Sequence, residues 1–446
     1  MAFEYVNGGD LFPPNQSDEF RSGLITKSRC HYASIHRFCL SALFNYALAT
    51  VYVFRAMLQL NVIIVGGGVG GLVAALCCAR NGYTVRVLEQ TEGEDLGAGI
   101  QLSPNCTRVL HTLGLASELE NQACVPEAVE IRDWQSGHLI ASKSLGTSIQ
   151  RVTGYPYYHM GRRDLMRILR DKVNENPLIE MYWNTRAEGF EQRAGKVLVT
   201  SGKKELVGDV LLGADGIHST IKDKLFGDGG RRFTGHAAWR ATVPMQELPS
   251  GLVSPVAALW WGPKKHFVHY PIKSGELMNC VGVVEKNGWE EESWVTHGES
   301  GELRQDFTGW HKDIETLIDR VDSSDCYKWA LYDRDPLSSW SVGQVTLLGD
   351  ACHPTLPFLA QGAAMAIEDA AVIARCLQDA TSIESALKYY ETLRIARTAR
   401  IQAGSRRNGR VFHMSGIVAK MRNLVTSATM ADSFDWIYEY DPMSVN

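Results

Sequence analysis

An α/β fold with a second, mainly antiparallel sheet and a helical C-terminus is what this sequence predicts, on three observations. A glycine-rich turn joins a continuous apolar run to an Ala/Leu/Cys stretch across residues 61–80. Two further apolar runs, at 207–219 and 345–350, each lead into an Asp-containing loop. Between those two, residues 236–333 switch to apolar/polar alternation, the period of strands with one buried face.

Taken in order, Asn61-Val-Ile-Ile-Val65 reads as a strand buried on both faces. Gly66-Gly-Gly68-Val-Gly-Gly71 makes the turn, Leu72 to Arg80 a helix ended by Asn81-Gly82, and Thr84-Val-Arg-Val-Leu88 the second strand, closed by Glu89. This is the G-x-G-x-x-G fingerprint of dinucleotide binding in the strand–turn–helix context that it requires. Gly66 permits the tight turn, Gly68 lets a pyrophosphate approach the backbone, and Gly71 lets helix and strand pack closely. The helix start presents free N–H groups and the positive dipole end to the phosphates. Glu89 is placed to accept from ribose hydroxyls.

Composition excludes several classes. At 446 residues, 45% hydrophobic and 21% charged, the chain is globular and large enough for more than one core. A net charge of −5 offers no electrostatic footprint for nucleic acid. Ten cysteines without a Cys-x-x-Cys pair or zinc-type spacing read as buried free thiols in a reducing compartment, hence a cytoplasmic protein. The N-terminus leaves several readings open. Phe38 to Phe54 carries no charge and is bounded by Arg37 and Arg55, so it could be a membrane anchor, although a helix of that length reaches only about 25 Å. The alternatives are a non-native start upstream of Met57 and an ordinary packed helix. Membrane association is expected only if residues 38–54 form a real segment.

Further along, Val207-Gly-Asp-Val-Leu-Leu-Gly-Ala-Asp215-Gly-Ile-His-Ser219 is a strand running into a loop, Val345-Thr-Leu-Leu-Gly-Asp350 is another, and Gly362 to Ala380 is a helix. With Gly97-Ala-Gly-Ile-Gln-Leu-Ser-Pro-Asn105, Gly161-Arg-Arg-Asp-Leu165, Ala238-Trp-Arg-Ala-Thr-Val243, Tyr270-Pro-Ile272 and Asp435-Trp-Ile-Tyr-Glu-Tyr-Asp441, these pieces resemble a known family from about Leu58 to Tyr440. It is that of the FAD-dependent aromatic-ring monooxygenases, the salicylate hydroxylase and para-hydroxybenzoate hydroxylase group, in its fungal secondary-metabolism form. The resemblance implies an α/β chain with a Rossmann-type FAD-binding domain formed by 58–235 and 335–380. A discontinuous second α+β substrate domain occupies 236–334, C-terminal helices follow over 381–446, and 1–57 is an N-terminal extension.

The resemblance also implies roles. Glu89 would hold the FAD ribose, and Ala98 and Gly99 would lie along the cofactor. Arg162 would contact FAD where the family has a His-Arg-x-Asp-Leu pattern, here with Gly161 in place of the His; the alternative is a surface Arg paired with Asp164 or Glu175. Asp215 stands in the Asp-Gly loop that serves FAD and reduced nicotinamide. With one G-x-G-x-x-G only, NADPH or NADH would be a transient co-substrate without a Rossmann domain of its own.

Asp350-Ala-Cys352-His353 raises a nucleophile or a metal reading, but adjacent Cys and His need not face each other in a turn, and further ligands at suitable spacing are missing from the sequence. No metal is expected. The flavin reading needs only Asp350 at a strand's carboxyl end, on the ribityl hydroxyls. Pro354 and Pro357 would stiffen a loop along the ring, and Gly362 and Ala363 would start a helix whose N–H groups face the flavin pyrimidine.

In the middle region the alternating strands should roof a cavity rich in aromatics, with Trp239, Trp260, Trp261, Trp289, Trp294 and Trp310 in this window. Arg240 matches an arginine that orients a phenolate, against the alternative of a strand ion pair, and Tyr270 matches a partner tyrosine. His269 would take the proton-acceptor role if the strand pairing shifted by one. The implied activity is NAD(P)H- and O2-dependent hydroxylation of a phenolic or other electron-rich aromatic small molecule, with oxygen activated at flavin C4a. An FAD-dependent epoxidase, or a decarboxylating or dearomatising hydroxylase of a secondary-metabolite intermediate, stays open as the alternative.

Overall fold

The β-branched runs that the sequence marks as doubly buried form the centre of a six-stranded sheet. Its spatial order is Ser341–Val342, Val345–Leu347, Val210–Gly213, Asn61–Val65, Thr84–Leu88 and Ile179–Tyr182. All neighbours are parallel except the two-residue edge strand Ser341–Val342. Val62, Ile63, Ile64, Val210, Leu211 and Leu212 are fully buried, because helices Val69–Arg80 and Gly362–Asp379 pack together over the sheet. The computed structural model describes residues 59–92, 99–286, 297–430 and 433–444. The extension 1–57 with its segment 38–54, and Ala98, Trp289 and Trp294, lie outside the described residues.

Leu60–Asn446 forms one compact unit, within which a second, seven-stranded sheet is built. It comprises Cys326–Asp333, Arg232–Pro244, Leu277–Glu285, Lys265–Ile272, Ala257–Gly262, Ala128–Asp133 and Leu139–Ser144 in spatial order. Its pairings are antiparallel apart from Ala257–Gly262 with Ala128–Asp133. Two of its strands therefore come from within 58–235. The alternation predicts strands with one buried face, but both faces of this sheet are covered, and Lys265–Ile272 and Leu277–Glu285 are buried along most of their length. One face carries Ala237, Trp239, Ala241, Trp260 and Phe267 into a core with Phe307, Trp310 and Ile314 from the helices Ser300–Asp306 and Lys312–Asp319 and the turn between them. The other carries Ala238, Val281, Val283, Trp261 and Trp329 towards Phe358 and Phe412. Trp239, Trp260 and Trp310 thus pack away from the cavity, and Trp261 lies on its wall.

All eight described cysteines are free thiols, buried except for Cys124. Among the described residues no helix is long and apolar enough to cross a membrane.

Candidate active site

A cavity of about 1370 Å³ opens where the carboxyl ends of the parallel strands meet the inner face of the second sheet. Gly68, Gly70, Gly99, Arg162, Asp350, Gly362 and Ala363 line one part of it; Arg240, His266, Tyr270 and Asn279 line another.

The phosphate end is set by sterics. Gly66 has φ +107°, and a Cβ there would lie 2.3 Å from the Ala214 carbonyl oxygen. A Cβ on Gly71 would fall 1.9 Å from the Gly66 carbonyl oxygen, so strand and helix touch through backbone alone. A Cβ on Gly68 would meet nothing within 4 Å: there the missing side chain leaves open cavity space at the start of helix Val69–Arg80. Glu89 ends its strand and accepts from the Gly67 N–H at 2.7 Å and the Thr91 N–H at 2.9 Å, so its carboxylate braces the glycine turn.

Asp215 is aimed differently from the sequence expectation. Its carboxylate accepts from the Ser219 hydroxyl at 2.5 Å and the Ile221 N–H at 3.1 Å, which ties it into its own loop and the start of helix Thr220–Phe226. The loop meets the cavity through Ala214, Gly216 and Ile217. Asp350 opens to the cavity from the turn after Val345–Leu347. The surrounding protein raises its carboxyl above the ordinary value, and His353 and Arg162 pull it back. Arg162 opens helix Arg162–Asn174, and Gly362 and Ala363 begin Gly362–Asp379 with little side chain to obstruct a flat ring.

Cys352 and His353 turn away from chemistry. Cys352 is buried against the Gly349 carbonyl, and burial holds its thiol far above the ordinary range. His353 pairs through Nε2 with Asp369 at 2.6 Å. Asp369 completes a Cys352/His353/Asp369 grouping of metal-ligand type that the sequence separates by sixteen residues, but its oxygens are already engaged. Asp369 accepts from the Gly349 N–H at 2.9 Å and from Arg394 Nε at 2.7 Å. Although burial alone would raise it, His353 and Arg394 hold Asp369 down at about 2. Arg394 also pairs with Glu368 at 2.7 Å, Glu368 with Arg397, and Arg397 stacks on Tyr440, so this network clamps the C-terminus onto the helix behind the flavin side.

On the sheet face, strand register decides which side chains converge. Arg240 is opposite Val281, Thr242 opposite Asn279, and Asn279 opposite Tyr270, so Arg240, Asn279 and Tyr270 share one face. Arg240 donates to the Gly99 carbonyl at 3.3 Å and lies over Trp329 at 5.2 Å, while its Nε has no partner among the described residues. This excludes the alternative of a strand ion pair for its described contacts. Asn279 Oδ1 accepts from the Gly99 N–H at 2.7 Å, and its Nδ2 is likewise buried without a described partner. A Cβ on Gly99 would sit 2.6 Å from Asn279 Cγ and 2.9 Å from Tyr270 Cε2. Burial pushes the Tyr270 phenol up to about 12, with Arg240 and Gln101 pulling it back.

His269 is not the proton acceptor. It lies on the opposite face, accepts from Trp260 Nε1 at 3.1 Å, and burial and Arg132 lower it to about 3. The histidine on the cavity face is His266. Its Nδ1 meets His413 Nε2 at 2.8 Å, and His413 Nδ1 meets the Glu285 carboxylate at 3.0 Å. Because a carboxylate only accepts, His413 must donate from Nδ1 and accept at Nε2, so His266 donates from Nδ1 and keeps the lone pair on its Nε2. Burial, with His413 and His236 nearby, lowers His266 well below the ordinary imidazole value.

Sequence reasoning missed His266, Asn279, Gln101 and Trp329. Asn279 carries a signal, a lone amide inside Leu277-Met-Asn-Cys-Val-Gly-Val-Val284, and His266 alternates in phase with Tyr270. His413 has none, since it comes from a helix end 147 residues away.

The residues fit a bound flavin nucleotide. Open space at Gly68, small residues at the Gly362 helix start, an accessible Asp350 and two orphaned buried donors, Arg240 Nε and Asn279 Nδ2, are what such a group would fill and satisfy. Comparison with known proteins agrees. A family profile described as an FAD binding domain matches residues 59–405. The chain is 36% identical to a 3-hydroxybenzoate 6-hydroxylase of Polaromonas naphthalenivorans (strain CJ2), over 86% of this chain and 96% of that protein. It is 37% identical to the 3-amino-4-hydroxybenzoate 2-monooxygenase PtmB3 of Streptomyces platensis, over 86% and 97%. Its fold matches Klebsiella pneumoniae HpxO complexed with FAD and uric acid, with a TM-score of 0.75 at 24% identity over 85% and 95% of the two chains. The FAD-binding profile over residues 59–405, with 36–37% identity across nearly the full length of these hydroxylase and monooxygenase relatives, places the chain in the family of FAD-dependent aromatic-ring monooxygenases.

Proposed function

We propose that this enzyme hydroxylates a phenolic aromatic acid or a close relative of one, with NADPH or NADH as electron donor. The convergence of Arg240, Tyr270, Asn279 and His266 on one sheet face, over the cavity that Gly68, Asp350 and Gly362 line, carries this reading. Overall, one oxygen atom of O2 enters the ring, the other leaves as water, and the nicotinamide is oxidised. FAD, when bound, supplies the redox chemistry: it accepts hydride and activates O2.

Gly66, Gly68 and Gly71 with the Val69–Arg80 helix start would hold the pyrophosphate, Glu89 the adenosine side, and Arg162, Asp350, Gly362 and Ala363 the flavin side. Asp215 would act by shaping the loop that carries Ala214 and Gly216. On the substrate side, the Arg240 guanidinium, with its Nε buried, fixes an anionic carboxylate or phenolate. Tyr270, held protonated at neutral pH, donates a hydrogen bond to a substrate oxygen. His266 Nε2 accepts the phenol proton as the ring becomes electron-rich, and Glu285 stabilises the resulting charge through His413. The relatives named for 3-hydroxybenzoate and 3-amino-4-hydroxybenzoate support a ring bearing both hydroxyl and carboxylate.

A panel of hydroxybenzoates, aminohydroxybenzoates, simple phenols and prenylated phenols, scored by oxygen uptake and product mass with each nicotinamide, tests it. Stimulated uptake with a product heavier by one oxygen atom is expected from a hydroxybenzoate. Silence from every phenol with FAD bound would refute it, and turnover of a non-phenolic olefin alone would favour the epoxidase.

A further inference from the structure

Helix Gly416–Thr429 leaves its apolar side in solvent. Ile417, Val418, Met421, Leu424 and Val425 are 56–78% exposed, and these five of its fourteen residues are large hydrophobics. At about 100° per residue they span an arc of about 120°, with Lys420 on its border. The flank beyond Val418 is fixed to the protein: Arg422 is buried, donates to the Val411 and Phe412 carbonyls at 2.8 and 3.0 Å and lies over Trp261. The stripe is therefore displayed by a well-anchored helix, and an exposed contiguous apolar patch of this kind marks a docking surface.

Charge selects the occupant. From Thr392 to Ala431 the chain has no Asp or Glu and eight Lys or Arg. Arg394, Arg397 and Arg406 are engaged in ion pairs inside the fold, but Arg407, Arg410 and Lys420 are exposed and have no ion pair among the described residues. Pairing of this face with its own copy would bring like charges together, whereas an anionic lipid surface complements both the stripe and its basic border. The helix is also part of the cavity wall. Thr426, Thr429 and Met430 line the cavity together with Arg407, so the helix that carries the stripe on one side forms cavity wall on another.

We propose that the Gly416–Thr429 helix lies in the surface of an anionic membrane, setting this part of the cavity wall beside the lipid. At fourteen residues, about 21 Å, the helix is too short to span a bilayer and binds peripherally.

The test is flotation of the FAD-loaded full chain with phosphatidylcholine vesicles, with and without phosphatidylserine. The wild type should float with the anionic vesicles and much less with the neutral ones. Met421→Glu/Leu424→Glu should cut the bound fraction at least tenfold while bound flavin and the far-UV spectrum stay unchanged, since both side chains are in solvent. Arg410→Glu/Lys420→Glu should remove the preference for phosphatidylserine without touching the stripe. Failure of the wild type to float, or flotation that survives the Met421/Leu424 variant, overturns the proposal. A concentration-dependent dimer that the same variant dissolves, with no vesicle binding, also overturns it and assigns the stripe to a second copy. Hydroxylation in vesicle-free buffer is read separately, so loss of this idea leaves the catalytic reading intact.

Discussion

Arg240 holds the Gly99 carbonyl with one nitrogen and leaves Nε buried without a described partner, which prepares it for an anion. Arg240→Ala should lower kcat/KM by about 10- to 100-fold, the worth of roughly 1.5–3 kcal/mol for a hydrogen bond to a charged group, with FAD retained. Steady-state kinetics on flavin-replete protein check this. For His266→Ala the loss should fall on kcat, by about 100-fold or more, as for removal of a general base. Glu285→Gln should cost less and shift the acid limb of the kcat profile, because it acts through His413. The chain gives each step a direction: His413 is held down at about 4 and burial holds His266 well below the ordinary imidazole value, so both are neutral acceptors at neutral pH and lose that role on acidification. The sequence pointed to Arg240 and Tyr270 only through the resemblance of Ala238-Trp-Arg-Ala-Thr-Val243 and Tyr270-Pro-Ile272 to the family. It concealed His266's importance, because the partners that define it, His413 and Glu285, are brought in from a helix end and a neighbouring strand.

Elements fail in ways that separate folding from cofactor binding. Gly71→Ala places a methyl 1.9 Å from the Gly66 carbonyl, which cannot retreat because the Gly66 N–H is bonded to Leu88. It should cost about 3 kcal/mol in denaturant unfolding of the flavin-free protein. Gly68→Ala meets no protein atom within 4 Å, so the flavin-free protein should unfold as the wild type does while FAD affinity falls. Measuring both variants with and without FAD distinguishes a packing glycine from a cofactor glycine. The motif already assigns Gly68 to the cofactor and Gly71 to packing, and the distances around each Cβ position show that the two effects are separable. The strand–turn–helix unit was legible because it is local: 3.6- and 2-residue periods and turn chemistry are written within about thirty residues. The parallel addition of Ala128–Asp133 to the second sheet was not, since nothing near residues 128–144 states which distant edge they join.

For the whole molecule, buried histidines set the response to acid. His159 and His269 are lowered to about 3 and His413 to about 4, all by burial first, and His266 is also lowered. Between those values and the ordinary 6.5 the unfolded chain binds more protons than the folded one, so stability falls as pH falls through that window. Each histidine contributes up to about 1.4 kcal/mol per pH unit. Asp215 and Asp350, raised by their surroundings, act in the opposite sense nearer the carboxylate range. Thermal melts from pH 7 to 5 should therefore show a steady drop in Tm, and a flat profile would contradict it. Nothing in composition announces this, because a histidine's burial is a property of the assembled sheets. The assembled sheets also carry the central claim, that a phenolic ring is held under Arg240, Tyr270 and His266 beside FAD. The most direct measurement is hydroxylated product formed per nicotinamide consumed, for the wild type, Arg240→Ala and His266→Ala with the preferred hydroxybenzoate. The wild type should couple most of its nicotinamide oxidation to product, and both variants should lose product while still binding FAD. Unchanged product formation in both would place the substrate elsewhere and contradict the account.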